Sequence, residues 1–415
     1  MVEMKSGYKM TEVGVIPEDW EVKNVSESCL IKARIGWQGL KKSEYMSSGD
    51  YLLITGTDFD NGQVNWKSCA YVSKARYEQD SNIKIRPQDI LISKDGTIGK
   101  VAYLGMIPKA GTLNSGIFVI RANDRKIDQV FLSKIFMSFY FEDFLNRLVA
   151  GSTINHLYQK DFVKFCFPLP NSEEQAAIAT ALSDVDSLIS ALTKKIEKKK
   201  AIKQGLMQQL LTGKKRLPGF GDVWDVVQLK RIISEFIVPM RDKPTALTGP
   251  IPWCRIEDFD GKYLKKSLSN QGVDLNTVSK MNLKIFPVNT LLVSCSANLG
   301  RCAIVKQKLV TNQTFIGLVP SDRIDVEFLY YKMSREDKNL NNMATGTTIS
   351  YLSREQFENY EILIPSSKAE QTSIANILSD CDSEIAALEE KRDKYKEIKQ
   401  GMMQQLLTGK IRLIK

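Results

Sequence analysis

The feature that most constrains this chain is a copy of itself. A shift of 196 residues lays 175–217 onto 371–413. Gln-x-x-Ile-Ala-x-x-Leu-Ser-Asp-x-Asp-Ser recurs from Gln175 and Gln371, and Ile-Lys-Gln-Gly-x-Met-Gln-Gln-Leu-Leu-Thr-Gly-Lys from Ile202 and Ile398. Of the 43 aligned positions, 28 are identical. A self-match of this kind means one module built twice, and it sets the architecture before any other signal is read. The flanks repeat more loosely: Gly151-Ser-Thr-Ile154 with Gly346-Thr-Thr-Ile349, Asp58-Phe-Asp60 with Asp258-Phe-Asp260, and Trp20 with Trp224. The order is therefore globular, helical, globular, helical, over 1–171, 172–217, 218–366 and 367–415. The globular parts have diverged and the helical parts have not, the pattern that differing targets and a common partner leave behind.

Each repeated segment reads as one long helix. Pro168 and Pro170 precede Ser172-Glu-Glu-Gln175, and Pro365 precedes Ser367-Lys-Ala-Glu370, both with the spacing of a capping box. Both segments stop at Thr-Gly, at Gly213 and Gly409. Some 40 residues at 1.5 Å each span about 60 Å. Ile178, Leu182, Val185, Ile189, Leu192 and Ile196 step by fours and threes, as do Ile374, Leu378, Cys381, Ile385 and Leu388 on towards Tyr395, which predicts coiled-coil seams. Related halves joined by a two-fold axis would set the helices antiparallel, with the globular halves at opposite ends. The lysines from Lys194 to Lys203 would then face Glu384, Glu389, Glu390 and Glu397. Gly205 and Gly401, mid-helix at equivalent places, predict a close backbone contact or a bend. Leu206, Met207 and Leu210, with Met402, Met403 and Leu406, form flexible apolar stripes that suit either a protein partner or core packing.

The globular halves alternate short β-rich runs with one helical stretch. The runs are 51–55, 89–93, 100–104 and 117–121 before a helix near 129–147, then 290–294, 302–306 and 315–319 before a helix near 326–340. Loops between strands are where recognition would lie. In the first half these carry Arg34, Trp37, Gln38, Lys41 and Lys42; Lys94, Thr97 and Lys100; Asn114; and Ser152, Thr153, Asn155 and His156. In the second they carry Arg241 and Lys243; Asn298 and Arg301; Asn312 and Gln313; and Thr347, Thr348, Ser350 and Tyr351. Such side chains bond base edges or phosphates. A net charge of +10 favours a polyanionic partner, although charge alone does not separate nucleic acid from an anionic membrane.

Other classes are disfavoured. With 415 residues, 43% of them hydrophobic, the chain can bury two cores. No apolar run suggests a bilayer span and the start lacks an apolar signal block, so a cytoplasmic location without membrane contact is expected. Seven cysteines without a C-x-x-C, and the lone His156, argue against a metal site; the thiols read as small core hydrophobes. Walker, G-x-S-x-G and dinucleotide-binding signatures are absent, as is the Asn/Asp-Pro-Pro-aromatic motif of amino-methyltransferases. No catalytic residue is assigned. A free-standing methyltransferase or nuclease, or a purely structural coiled-coil linker, stands as the alternative.

Ile16-Pro-Glu-Asp-Trp20, Gly151-Ser-Thr-Ile154 leading to Phe167-Pro-Leu-Pro170 and Glu174-Gln175, and the doubled Gln-Gln-Leu-Leu-Thr-Gly-Lys resemble the specificity subunits of Type I restriction-modification enzymes, over essentially the whole chain. The resemblance implies an α+β protein with two mixed α/β target-recognition domains, two long antiparallel coiled-coil helices between them and an internal pseudo-two-fold repeat. Each domain would read half of a bipartite site on double-stranded DNA. Two methyltransferase subunits would dock on the helices and two motor-nuclease restriction subunits would complete the complex. This chain would hold no cofactor, while S-adenosylmethionine, ATP and magnesium would act in the partners. Gly221-Asp-Val-Trp224 departs from the pattern, keeping the tryptophan and losing the Pro-Glu of the first copy.

Overall fold

The structure is a computed structural model that describes residues 6–150, 156–239, 243–296, 298–344 and 351–414. Two compact units emerge, and they cut across the sequence repeat: unit 1 is Met1–Thr193 with Lys391–Lys415, and unit 2 is Lys194–Glu390. Each unit thus holds one globular half, the beginning of the helix that follows it and the end of the other repeat's helix.

In unit 1 a four-stranded antiparallel sheet runs in the order Val101–Tyr103, Ile90–Ser93, Ile117–Ala122 and Cys29–Ala33. Ile90, Ile92, Phe118 and Ile120 pack from it onto Phe131, Leu132, Phe136, Phe141 and Phe162. Helix Gln129–Phe136 stops and Phe139–Ala150 follows as a second helix, where one was expected. Ser138 causes the break: its hydroxyl and carbonyl accept the amides of Tyr140 and Phe141, restarting the turn. Unit 2 repeats the plan with a five-stranded sheet: Ile233–Ile237, Phe315–Pro320, Leu291–Ser294, Cys302–Val305 and Tyr263–Leu264. Its helical stretch is likewise split, into Val326–Met333 and Asp337–Met343. All seven cysteines are free, five of them buried.

The long helices are Ser172–Leu210 and Lys368–Leu406. The first is capped by Asn171, whose Oδ1 accepts the amide of Glu174 at 2.9 Å. Neither expected capping box closes, because the side chain of Gln175 is spent on Asp128, Lys126 and Pro170 and that of Glu370 on Arg216. Gln175 and Gln371 instead stitch each helix to its own domain: Gln175 accepts from the amide of Asp128 and donates to the carbonyls of Lys126 and Pro170, and Gln371 repeats this with Asp325, Arg323 and Pro365. Within unit 2 the pairs Lys199–Glu384, Lys200–Glu389 and Lys203–Asp382 set the two helix segments antiparallel, since the partner of Lys203 precedes that of Lys199. Within unit 1 Lys399 and Lys134 both reach Asp186, at 2.7 and 2.8 Å. Asp382 has the equivalent setting in unit 2, between Lys203 and the hydroxyl of Tyr331.

Two expectations are corrected here. Helix Ser172–Leu210 contains an 18-residue window of mean hydropathy 1.3, long and apolar enough to cross a membrane by length and composition alone. In unit 1 Ile178 and Leu182 of that stretch are fully buried in the core, although only 22% of the window is buried. At Gly205 and Gly401 no described atom lies within 4 Å of where a Cβ would stand, so a close backbone contact does not explain them.

The ends of the helices close the units reciprocally. Arg412, from the second repeat, makes a fork onto Glu174 at 2.6 and 2.8 Å and a second onto Asp19 at 3.0 and 2.7 Å in unit 1. Trp20 donates to Glu174 at 2.9 Å beneath the same guanidinium. Arg216, from the first repeat, makes the matching fork onto Glu370 in unit 2, over Trp224. Val223 occupies the place of Asp19, so that second fork is missing. At Gly409 the backbone is left-handed (φ +67°), and a Cβ would come within 2.3 Å of Pro17, so only glycine lets the helix end meet the domain.

Candidate nucleic-acid interface

In both units three loops converge where the central strands of the main sheet end or begin, a rim held by the same backbone hydrogen bonds. In unit 1 these are Ser93 to Lys100, Gly99 to Ser93, Lys94 to Gly116 and Leu157 to Lys94. In unit 2 they are Ser294 to Arg301, Gly300 to Ser294, Cys295 to Thr314 and Leu352 to Cys295. Asn114 and Asn312 occupy equivalent turns: Asn114 Oδ1 accepts the amide of Gly116 at 2.8 Å, and Asn312 Oδ1 accepts from Thr314. The two loop frames are therefore the same object.

What the frames carry is different. Paired by these bonds, Lys94 stands opposite Cys295, Asp95 opposite Ser296, Thr97 opposite Asn298, Ser115 opposite Gln313 and His156 opposite Tyr351. In unit 1 Asp95 and His156 pair through Oδ1 and Nδ1, and the imidazole packs on Tyr158. Lys94 lies half-buried with its ammonium 5.1 Å from the Phe118 ring centre, and that burial pushes it below the usual lysine range against the pull of Asp95. Thr97, Lys100, Lys41 and Lys42 are exposed. In unit 2 Asn298 (φ +54°), Arg301, Gln313, Lys243 and Tyr351 are exposed, and burial of the Tyr351 ring raises its phenol. Arg301 donates to the carbonyl of Phe259 at 3.0 Å.

Several residues expected at this surface have other work. Arg34 is only 2% exposed. It donates to the carbonyl of Leu113 at 2.9 Å and to Thr112 Oγ1 at 3.1 Å, so it braces the Asn114 loop from behind. Gln38 is buried as well. Asn114 and Asn312 spend their side-chain oxygens on turn amides, and Asn114 donates its amide to the Tyr45 hydroxyl. Leu210, Met403 and Leu406, read as possible partner contacts, are buried in the unit cores, with Leu206, Met207 and Met402 packed half-buried against them. The side chain of Trp37, and Ser152, Thr153, Asn155, Arg241, Thr347, Thr348 and Ser350, lie outside the described residues. The sequence reading passed over Asp95, Ser115, Cys295 and Ser296; aligning the two loop frames position by position would have found them.

The helices carry a second surface. Asp184, Ser187, Ala191, Lys195, Lys198, Ile202, Gly205 and Gln209 are identical to Asp380, Ser383, Ala387, Lys391, Lys394, Ile398, Gly401 and Gln405. Steps of three and four place each set on one helical face, away from the seam. All are exposed or half-buried. Many other exposed positions have diverged, Thr180 against Asn376, Leu188 against Glu384, Lys194 against Glu390 and Ala201 against Glu397, while Lys200, Gln204 and Gln208 keep their counterparts Lys396, Gln400 and Gln404. Unit 1 holds Asp184, Ser187 and Ala191 with the later five of the second helix, and unit 2 holds the reverse, so each unit has one complete set.

Two α+β units of one plan, each presenting a differently furnished loop edge on the same frame, define a duplicated recognition module. The family model for the Type I restriction modification DNA specificity domain matches residues 17–204 and 221–400, and the chain belongs to that family. It is 26% identical to the Type I restriction enzyme MjaVIII specificity subunit of Methanocaldococcus jannaschii over 418 residues, covering 96% of this chain and 94% of that one. Among solved structures it shares its fold with the Type I restriction-modification S subunit from M. genitalium, at 15% identity, 98% coverage of both chains and a TM-score of 0.61. A chain from a structural study of the assembly and conformational transition of a type I R-M system matches at 18% identity and a TM-score of 0.56, covering 95% of this chain and 99% of that one.

Proposed function

We propose that this protein is a non-catalytic subunit that reads two short stretches of double-stranded DNA, one with the loop edge of each unit, and so chooses the bipartite site at which its partners act. The observation that carries the reading is the loop frame: identical backbone hydrogen bonds in both units, with different exposed side chains mounted on them. A frame that is constant while its side chains vary is what two readers of unlike base sequence require. Exposed Lys41, Lys42, Lys100, Lys243 and Arg301 are the candidates for phosphate contact, and they fit the net charge of +10.

The two long helices form an antiparallel coiled coil related by a pseudo-two-fold, and each identical exposed set docks one copy of a methyltransferase subunit. That reading is favoured by the two complete sets, one per unit, which have no packing role of their own. Two motor-nuclease subunits complete the complex; S-adenosylmethionine, ATP and magnesium act in those partners, and the assembly works in the cytoplasm. The test is electrophoretic mobility shift with the full chain and methyltransferase subunits on duplexes selected from a random pool. Alanine at Lys41, Lys42, Lys100, Lys243 and Arg301 together should weaken binding to every sequence and flatten its salt dependence. Unchanged affinity and salt slope would remove this surface from the interface, and turnover by the purified chain alone would favour a free-standing enzyme.

A further inference from the structure

Among the five variable positions on the common loop frame, two bond to each other in unit 1. Asp95 and His156 form a charged couple in unit 1, with side chains 44% and 32% exposed. The equivalent Ser296 and Tyr351 in unit 2 offer two neutral hydroxyls. An exposed carboxylate on an edge that meets a polyanion is repelled by phosphates, so it is out of place unless it accepts a hydrogen bond from the ligand. Because the carboxylate can only accept, the Nδ1 atom facing Asp95 carries the proton, and Nε2 is left on the far side of the ring. The second oxygen, Oδ2, lies beside Gly116, where a Cβ would approach it to 3.3 Å. Tyr158 packs against the imidazole at a tilt, with ring centres 4.6 Å apart, so the couple is held in place before any ligand arrives.

We propose that this pair of positions determines base specificity, one base pair in each half-site, an inference that rests on the DNA-reading function above. In unit 1 the half-exposed Asp95 carboxylate, oriented by His156, is an acceptor and takes the exocyclic amino group of adenine or cytosine in the major groove. In unit 2 the hydroxyls of Ser296 and Tyr351 donate, and take guanine O6 or N7, or thymine O4. The pair is a module that can be exchanged between the two frames, because the backbone on either side of it is held by the same bonds.

The test is an exchange. The full chain, assembled with methyltransferase subunits, is put through random-duplex selection as wild type, as Asp95→Ser with His156→Tyr, and as Ser296→Asp with Tyr351→His. The first double variant should change the preferred base at one pair of one half-site by at least about tenfold, the discrimination a good base contact supplies, and leave the other half-site as it was. The reciprocal variant should alter the other half-site alone. The untouched half-site reports that each variant is folded. Should a double variant bind no DNA, the near-isosteric Asp95→Asn takes its place, with reduced discrimination expected at the same base pair. Unchanged preferences, or an equal loss on every sequence, would overturn the proposal, the latter by placing the pair on phosphate. A wild-type complex that selects no sequence would instead defeat the DNA-reading function itself.

Discussion

Arg412→Ala removes four hydrogen bonds, and what remains decides the size of the effect. Glu174 is fully buried, and without Arg412 its carboxylate keeps only the indole of Trp20 at 2.9 Å. Breaking a buried ion pair by removing one partner costs about 3–5 kcal/mol, because a charge is left unpaired in the interior. The Arg412 side chain is 31% exposed, so water can partly replace it, and a loss of about 3 kcal/mol is expected, at the lower end of that range. For a unit of this size that is a fall in Tm of about 6–12 °C. Were the pair an ordinary surface bridge, the loss would stay below about 1 kcal/mol. Thermal unfolding followed by circular dichroism gives the shift, and amide hydrogen exchange assigns it to unit 1. Adding Glu174→Gln to Arg412→Ala should recover about half of the loss, because the orphaned charge is gone. A Tm lowered by less than about 2 °C, or exchange quickened equally in both units, would refute the claim that a buried charge drives the effect.

Three further outcomes are expected. The forks from Arg412 hold the Asp19 carboxyl below its usual 3.8; a depressed folded-state pKa contributes stability above that value and loses it as pH falls through the folded one. Asp19→Asn should therefore lower Tm at pH 6, with the gap to wild type closing below about pH 3.8, as a pH series of melts would record. The fragment of residues 1–217 has Glu174 but not Arg412, and in a two-fold dimer Arg216 of each copy can take that place; light scattering should find a dimer at micromolar concentration, and Arg216→Ala should yield monomers. Adding seven residues to each helix, after Leu192 and after Leu388, preserves the apolar spacing, and selection should then return half-sites about three base pairs further apart, from about 10 Å of added helix.

The repeat made the architecture legible: matching residues 175–217 with 371–413 located both helices, and their ends at Gly213 and Gly409 are left-handed as expected. Strand runs such as Ile90–Ser93 and Ile117–Ala122 were legible too, because a short buried β-branched run has few other uses. Side-chain direction was not. Arg34 and Lys100 both sit in basic loops, yet Arg34 folds back to bond Leu113 and Thr112 while Lys100 stays in solvent, a choice made by tertiary contacts that spacing does not encode. Leu210, Met403 and Leu406 stayed open between partner contact and core packing for a related reason: an apolar helical stripe looks the same whether it meets its own core or another protein. The reciprocal clamps were hidden as well, since Arg412 and Glu174 are 238 residues apart.

If two differently furnished loop edges read two separate stretches of DNA, the preferred site of the assembled protein has two parts. Random-duplex selection with the wild-type chain and methyltransferase subunits tests it most directly. Two unlike half-sites separated by a fixed stretch without sequence preference are expected, whereas one contiguous site, or enrichment of none, would show that the two loop edges do not read DNA separately.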